Sequence, residues 1–224
     1  KNLFKNNKLK ALVTTGPTRE YIDPVRYISN ESSGKQGYEI AKVLSRIGVK
    51  TTLITGPSSL SKINGVKTIN IITAKDMFEA VKKTLPVDIA ICVAAVADFK
   101  INEPSKSKIK KDKFRSFKIS KNIDILEHLS KSNRYRPKIV VGFAAETEDL
   151  LKNSLNKIKK KQCDILIGNN VSNKNSGFNK DHNKVIIIDK SGKIEKIKKS
   201  NKSFIAIQVV NNVLKKFKTN GKYN

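Results

Sequence analysis

The chain has 224 residues, of which 38% are hydrophobic, and its formal net charge at pH 7 is +27. This length favours one large α/β domain or one domain with an appendage, and no apolar run approaches the roughly 18–20 residues of a membrane helix. The charge comes from 40 Lys and only 6 Arg, whereas nucleic-acid-binding surfaces favour Arg and clustered aromatic residues. We therefore expect no membrane span and no nucleic-acid partner, although a positive field attracts small polyanions.

The first 47 residues predict a strand, a long loop and a helix. Residues 11–14 are apolar and favour a buried strand, and residues 38–47 place apolar side chains on one helical face. The loop between them is rich in Gly, Ser and Arg. Glycine at a helix start lets an anion approach backbone N–H groups that carry partial positive charge. The loop matches neither GxGxxG nor GxxxxGK[ST], and a simple turn is the alternative interpretation.

The rest of the chain alternates between predicted strands and helices. Thr73 is a predicted N-cap. The basic flap, defined as residues 100–121, is expected to be mobile or hairpin-like. The remaining predicted elements are strands at 50–55, 68–72, 88–93, 138–143 and 164–168, helices at 73–83, 122–130, 146–160 and 203–216, and a hairpin of strands 185–188 and 194–197.

This alternation predicts an α/β fold, with a Rossmann-like, mostly parallel sheet, helices on both faces and an antiparallel hairpin at the edge. Ligands of such sheets lie beyond the carboxyl ends of the strands. Four segments fall at those ends: 16–37, 94–99, 142–146 and 169–171. Their convergence predicts one site in a single domain of residues 1–224.

The cysteines and the start of the chain favour a reduced, cytoplasmic protein. Cys92 and Cys163 each lie in an apolar run, so buried thiols are expected rather than a disulfide or a nucleophile. His128 and His182 have no Cys or His neighbours at ligand spacing, which disfavours a zinc site. The chain starts with polar, basic residues and lacks an initiator Met, so we expect no signal peptide and a piece of a longer chain.

Several ordered segments together resemble one enzyme family. They are the GPTRE, IDPVRYISN and SSGKQG motifs of residues 16–37, AAVADF at 94–99, KIKK at 108–111, DIL at 124–126 and VGFAAET at 141–147. Their order and spacing are similar to those of phosphopantothenoylcysteine synthetase, or phosphopantothenate–cysteine ligase, of the bacterial CTP-using type. The resemblance covers nearly the whole chain.

The resemblance implies a two-step ligase of coenzyme A biosynthesis. The carboxylate of 4′-phosphopantothenate attacks the α-phosphorus of CTP, which gives an acyl-cytidylate and pyrophosphate. The amine of L-cysteine then displaces CMP. Mg²⁺ is expected to accompany the triphosphate. The family also implies a homodimer, which the apolar edge strands of the late hairpin would suit, and in many bacteria a fusion to a flavin-dependent phosphopantothenoylcysteine decarboxylase.

The resemblance assigns catalytic roles to three residues. Asn30 would contact the activated acyl group, because an amide donates to a developing oxyanion without titrating. Arg26 would bind phosphate or carboxylate at the substrate site, and Lys108 would neutralise the phosphate of CTP and of the acyl-cytidylate. The alternatives are a loop brace for Asn30, a surface side chain for Arg26 and simple solvation for Lys108, which lies in a lysine-rich loop.

The family's nucleotide and substrate contacts carry over to further residues. CTP contacts are expected from Asp98, Lys108, Ile123, Asp124, Ile125, Leu126, Phe143, Lys157 and Lys161, and substrate contacts from Arg26, Asn30, Ala94 and Ala95. No metal ligand is identified. Two positions depart from the family pattern: Ile123 stands where Pro is usual, and Asn170 where Asp is common.

Two other functions compete with this interpretation. A nicotinamide- or flavin-dependent oxidoreductase on a Rossmann-like fold is disfavoured, because GxGxxG and a suitably placed acidic residue are missing. A nucleic-acid-binding module would rest on the charge alone, and its binding would fall steeply with salt.

Overall fold

The computed structural model of the chain describes residues 9–113, 116–131, 134–171 and 182–220. Its strands are β1 (Lys10–Thr15), β2 (Arg19–Tyr21), β3 (Tyr27–Ser29), β4 (Lys50–Thr55), β5 (Lys67–Asn70), β6 (Ile89–Cys92), β7 (Phe99–Ile101), β8 (Ile119–Lys121), β9 (Ile139–Glu146), β10 (Ile165–Asn170), β11 (His182–Asp189) and β12 (Ile194–Asn201). Its helices are α1 (Lys35–Arg46), α2 (Ala74–Thr84), α3 (Ile125–Lys131), α4 (Leu150–Lys161) and α5 (Lys202–Asn220).

The central sheet has the order β12-β11-β10-β9-β6-β1-β4-β5. The strands from β10 to β5 pair in parallel, whereas β11 and β12 pair antiparallel at one edge. β6, which is apolar throughout, lies between β9 and β1 near the middle of the sheet. The predicted α/β fold with a mostly parallel sheet and an antiparallel edge is confirmed.

Two apolar layers hold the helices on opposite faces of this sheet. Leu12 and Val13 are adjacent in β1 and both fully buried, and they belong to different layers because side chains alternate along a strand. Val13 lies in the layer packed by α1 and α5, and Leu12 in the layer packed by α2, α3 and α4. The helices therefore cover both faces, which leaves the strand ends to form a site.

Helix starts follow local capping chemistry. The Thr73 hydroxyl accepts the N–H of Asp76, and the Asp76 carboxylate accepts the N–H of Thr73, which confirms the predicted N-cap of α2. α3 begins at Ile125 rather than at residue 122, because the Asp124 side chain caps it through the N–H of Glu127 at 2.8 Å. α4 begins at Leu150 rather than at 146, because β9 continues through Glu146.

Two small antiparallel sheets lie outside the central sheet. β2 and β3 form a hairpin within the loop between β1 and α1, where the sequence predicted only a loop. β7 and β8 pair across the basic flap, which confirms its hairpin-like character. Its predicted mobility stays a prediction.

The late hairpin β11–β12 differs from the expected pair of apolar edge strands. β11 is buried and lies between β10 and β12, so β12 alone forms the edge. β12 exposes most of its residues and carries several lysines, as edge strands do when they avoid pairing with other chains. None of the described helices combines the length and apolarity needed to cross a bilayer.

Candidate functional site

A cavity of about 940 Å³ opens at the carboxyl ends of β1, β6, β9 and β10. This volume lies at the upper end of the range of ligand sites, roughly 300–1,000 Å³. Its wall includes eleven of the residues expected at the site: Asn30, Ala94, Ala95, Asp98, Ile123, Asp124, Ile125, Leu126, Phe143, Lys157 and Lys161. Segments from five parts of the sequence therefore meet in one place.

One wall of the cavity is the start of α1. Gly34 has a left-handed φ of 74°, and its carbonyl accepts the Thr15 hydroxyl at 2.7 Å. A Cβ on Gly37 would lie 2.3 Å from Thr15 Oγ1, so only glycine lets the helix approach β1 this closely. α1 has no side-chain cap and no acidic residue in its first turn. Gly34, Lys35 and Gln36 line the cavity, so the partial positive charge of the helix start lies at the cavity wall, an arrangement that suits an anion.

Asn30 joins this loop to the segment that follows β6. Its Nδ2 atom donates to the carbonyl of Val96 at 3.0 Å, and its side chain is exposed to the cavity. The segment is itself fixed to β1 and to the loop, because Ala95 N–H donates to Gly16 at 2.9 Å and Ala97 N–H to Thr18 Oγ1 at 3.0 Å. Asn30 is therefore a brace as well as a candidate functional amide.

The opposite wall is built where α3 meets α4. The Lys161 ammonium pairs with the carboxylates of Asp124 and, at 3.0 Å, of Glu127, and only 13% of its side chain is exposed. Desolvation disfavours the charge on Lys161, but the hydrogen bonds to the two carboxylates outweigh it and raise its pKa. The bonds from Lys131 and Lys161 lower the pKa of Glu127 to about 2. Lys161 is thus a fixed, charged donor at the cavity wall.

Phe143 and Lys157 line the same side of the cavity. Phe143 lies in the second half of β9 and is half-buried. Lys157 lies one turn before Lys161 on α4, and its ammonium is 3.8 Å from Glu146, a longer ion pair than those of Lys161. An aromatic face beside a lysine can hold a base or ribose and an oxygen of a phosphate.

Arg26 and Lys108 are not part of the cavity wall. The Arg26 guanidinium pairs with the buried carboxylate of Asp23, and its terminal nitrogen donates to the carbonyl of Ile109 at 2.7 Å. Lys108 is exposed on the basic flap, next to Ile109. The flap starts and ends at the cavity rim, because Phe99 of β7 and Lys121 of β8 both line the cavity.

The cysteines are not candidate nucleophiles. Desolvation raises the pKa of the Cys92 thiol to about 12 and that of Cys163 to about 11, so both remain protonated near neutral pH. Both are free thiols, as predicted, and Cys163 is buried, but Cys92 is only half-buried because it lies at the end of β6, where the cavity opens. In the described parts of the chain no group of three or more His, Cys, Asp and Glu side chains is placed to hold a metal ion.

Three cavity-lining amides were not found by sequence reasoning. Gln36, Asn122 and Asn169 each have a buried amide atom without a hydrogen-bond partner among the described residues. A buried polar atom without a partner is costly, so these three amides are groups that a ligand or water in the cavity can satisfy. Gln36 also joins α1 to α5 through the carbonyl of Lys202 at 3.2 Å. Gln36 lies in α1, Asn169 in β10 and Asn122 in a loop, and a single polar side chain has no periodic signature in any of these places, so the sequence pattern did not single them out.

Comparison with known sequences gives a consistent picture. A sequence model of the DNA/pantothenate metabolism flavoprotein C-terminal domain matches residues 6–217. The Coenzyme A biosynthesis bifunctional protein CoaBC of Haemophilus influenzae is 38% identical over 211 residues, which are 93% of this chain and 52% of that protein. CoaBC of Borreliella burgdorferi is 39% identical over 94% of this chain and 53% of its own length. The chain spans about half the length of these curated relatives.

Comparison with solved structures confirms the fold. The crystal structure of the C-terminal domain of CoaBC has a TM-score of 0.77 at 30% identity and covers 92% of this chain and 93% of its own. A Cab2 mutant in complex with phosphopantothenate-cysteine has a TM-score of 0.73 at 15% identity and covers 96% of this chain and 89% of its own. At that identity the second structure shows a shared fold.

Proposed function

Because the chain belongs to the family of the DNA/pantothenate metabolism flavoprotein C-terminal domain, we propose that it is a ligase of coenzyme A biosynthesis. It joins 4′-phosphopantothenate to L-cysteine and uses CTP. The observation that carries the proposal is the single cavity that unites Asn30, the uncapped start of α1 and the Lys161 cluster.

The chemistry has two displacement steps. In the first, a carboxylate oxygen of 4′-phosphopantothenate attacks the α-phosphorus of CTP, the bond to the β-phosphate breaks, and pyrophosphate leaves. In the second, the cysteine amine attacks the acyl carbon, the acyl–phosphate bond breaks, and CMP leaves as the amine loses a proton. Negative charge builds up on oxygen in both steps, so fixed donors and cations are the main means of catalysis.

The residues of the cavity suit these tasks. The Asn30 amide supplies a donor for the acyl oxygen, in addition to its bond to Val96. Asp124 and Glu127 balance the charge of Lys161, so Lys161 acts as a positioned donor for the nucleotide rather than as a net positive charge. Lys108, from the basic flap, supplies the cation for the phosphate oxygens.

Mg²⁺ enters with the triphosphate. The described residues offer no cluster of three or more metal-ligating side chains, so phosphate oxygens and water would supply most of its ligands. The ion offsets charge on the phosphates when it is bound. The protein's own part is to hold the nucleotide beside the acyl group.

The relatives also support a proposal about the larger protein in which this ligase works. They are bifunctional proteins of about twice this length. We infer that this ligase is fused to, or works with, a flavin-dependent decarboxylase that consumes its product, and that it acts in the cytoplasm.

An assay of pyrophosphate release tests the ligase. Release is expected to require CTP and 4′-phosphopantothenate together, and phosphopantothenoylcysteine is expected only when L-cysteine is added. Release that does not depend on both substrates contradicts the proposal. A thermal-shift panel of CTP, ATP, GTP and NADPH with Mg²⁺ adds a binding test, because a ligand that binds the folded state raises the melting temperature. The largest shift is expected with CTP; a shift with NADPH alone would favour an oxidoreductase.

A matched pair of variants on α4 tests where the nucleotide binds. Lys157→Gln is expected to reduce the CTP-induced shift, because it removes a cation from the cavity wall. Lys152→Gln changes an exposed lysine of the same helix that is absent from that wall, so its shift is expected to equal that of the wild type. An equal loss in both variants would mean that CTP responds only to the overall charge of the helix.

A further inference from the structure

The β2–β3 hairpin and the basic flap are far apart in sequence but touch at the turn of the hairpin. Ser105 N–H donates to the carbonyl of Ile22 at 2.9 Å. Ile109 N–H donates to Asp23 Oδ2 at 3.2 Å, and the Ile109 carbonyl accepts Arg26 at 2.7 Å. The backbone N–H and the backbone carbonyl of Ile109 are therefore both hydrogen-bonded to side chains of the hairpin.

Asp23 is the centre of this contact. Its side chain is fully buried. Oδ1 accepts the N–H groups of Val25 and Arg26 at 2.9 Å each, which closes the hairpin turn. Oδ2 accepts the Arg26 guanidinium and Ile109 N–H. Every strong acceptor position of the carboxylate is used, and one of them binds the flap.

Arg26 has a geometry that lysine does not reproduce. Its Nε and terminal nitrogen both bind Asp23, while the terminal nitrogen also reaches the Ile109 carbonyl. A planar guanidinium can span a carboxylate and a carbonyl in a fixed orientation, whereas an ammonium is a single point charge. Arg26 is 43% exposed in its side chain, but it lies outside the cavity wall.

We propose that Asp23 and Arg26 are positioning residues that clasp the loop segment 105–109 and thereby hold the Lys108 ammonium for the first chemical step. Arg26 then acts through the flap rather than by touching the substrate. The proposal rests on the proposed function for the role of Lys108. The clasp itself rests on the bonds between the hairpin and the flap.

Hydrogen–deuterium exchange of the ligand-free protein tests the clasp. In Arg26→Lys, the amides of residues 105–109 are expected to exchange faster by on the order of tenfold, because local opening exposes them. Arg19→Lys is the matched control: the same substitution in the same hairpin, where the guanidinium lies over the Tyr27 ring at 4.5 Å. Its exchange at 105–109 is expected to match the wild type. Unchanged exchange in Arg26→Lys overturns the clasp.

A double-mutant cycle tests the positioning role. The rate of CTP-dependent pyrophosphate release is expected to fall on the order of tenfold or more in Arg26→Lys and in Lys108→Gln, and the double variant is expected to match Lys108→Gln alone. Losses that multiply would mean that Arg26 acts independently of Lys108, which overturns the proposal. A wild type that releases no pyrophosphate overturns the ligase, and the exchange experiment still decides the clasp.

A second variant keeps the test independent of the hairpin fold. Ile109→Pro removes the N–H that Asp23 accepts and leaves Asp23 and Arg26 unchanged. If Arg26→Lys does not fold, Ile109→Pro is expected to show the same faster exchange at residues 105–108. Exchange there at the wild-type rate overturns the clasp.

Discussion

Asn30 shows how one side chain can have a structural and a chemical task. Its amide nitrogen donates to Val96, which ties the loop before α1 to the segment after β6. The same amide lies at the cavity wall, where a second N–H of Nδ2 is chemically available to an acyl oxygen. The two interpretations drawn from the sequence, a loop brace and an oxyanion donor, are therefore compatible.

Asn30→Asp is expected to separate the two chemical steps. A carboxylate cannot donate to a developing oxyanion and repels it, so the cysteine step should slow by on the order of a hundredfold or more. Pyrophosphate release should persist, and the acyl-cytidylate should accumulate and be detected by mass spectrometry after acid quench. Ser29→Ala is the control, since it removes another loop bond, from Ser29 Oγ to Thr18 at 2.8 Å, without changing the amide. An equal loss of both steps with no trapped intermediate would leave Asn30 only its bracing role.

Lys108→Gln should behave differently from Asn30→Asp. Loss of a cation beside the α-phosphate is expected to impair formation of the intermediate, so pyrophosphate release and product formation should fall together. Single-turnover measurements of both products check this. Lys106→Gln is a suitable control, because it removes a neighbouring exposed lysine of the same loop. Equal losses in the two variants would assign the effect to the charge of the loop as a whole.

At the scale of elements, the contact between α3 and α4 depends on charge. Lys161 of α4 binds Asp124 and Glu127, and Glu127 also binds Lys131 one turn further along α3. These bonds favour the ionised carboxylate, so protonation of Glu127 opposes the folded state.

The Glu127 pairs predict a specific pH dependence of stability. The pKa of Glu127 is lowered from 4.5 to about 2, so its contribution is fully present above about pH 4.5 and is lost as the pH falls toward 2. Glu127→Gln is expected to melt at a lower temperature than the wild type at pH 7, and the gap should shrink between pH 5 and pH 3. Thermal melts of both proteins over this range measure it, with the exposed Glu148→Gln as the control. A difference in melting temperature that does not change with pH would contradict its assignment to the ionised Glu127 carboxylate.

The capping box of α2 gives a prediction about a single element. Thr73→Ala removes the acceptor for Asp76 N–H and should lower the free energy of unfolding by about 1 kcal/mol. Urea unfolding measures the change. Thr73→Ser keeps the hydroxyl and should retain most of the stability. If both variants lose the same amount, the threonine methyl group, and not the cap, is responsible.

At the scale of the whole molecule, the expected edge is poor in exposed apolar side chains: on β12 only Ile194, at 38% exposure, is a large exposed apolar residue. β12 forms the edge of the sheet and carries charged side chains. More exposed apolar side chains occur at the two small sheets. Val25, in the turn between β2 and β3, is 59% exposed, Ile119 of β8 is 53% exposed, and Phe99 of β7, at the cavity rim, is 48% exposed. β2 packs beside β7, so these hairpins adjoin one another. Apolar side chains grouped on a surface indicate a contact with another protein.

We therefore expect a homodimer at micromolar concentration that uses this face rather than β12. Ile119→Lys should give the mass of a monomer by light scattering, because it places a charge in the apolar contact. Ile194→Lys, at the start of β12, is the control and should remain a dimer. A wild type of monomer mass across the micromolar range would refute the dimer. A dimer in Ile119→Lys together with a monomer in Ile194→Lys would return the interface to the hairpin edge.

Local patterns in the sequence predicted the order and kind of most elements. Apolar runs at strand length and apolar faces at helical spacing predict the layers of the fold, because side-chain period and burial are local properties. Thr73 and its partner Asp76 are three residues apart, so the N-cap of α2 is also a local feature that the sequence could predict. The ordered motifs identified the family, and the resemblance assigned eleven of the residues that line the cavity.

Which of those side chains meet, and which bonds hold them in place, depends on how the elements pack in three dimensions. Lys161 and Asp124 are 37 residues apart, and Arg26 and Ile109 are 83 apart, so neither contact leaves a periodic signal in the sequence. Arg26 pairs with the buried carboxylate of Asp23 and therefore lies outside the cavity wall. β12 pairs with the outer side of β11 and forms the sheet edge in its place. Long-range hydrogen bonds and strand order depend on how packed elements come together, and a local pattern does not contain that information.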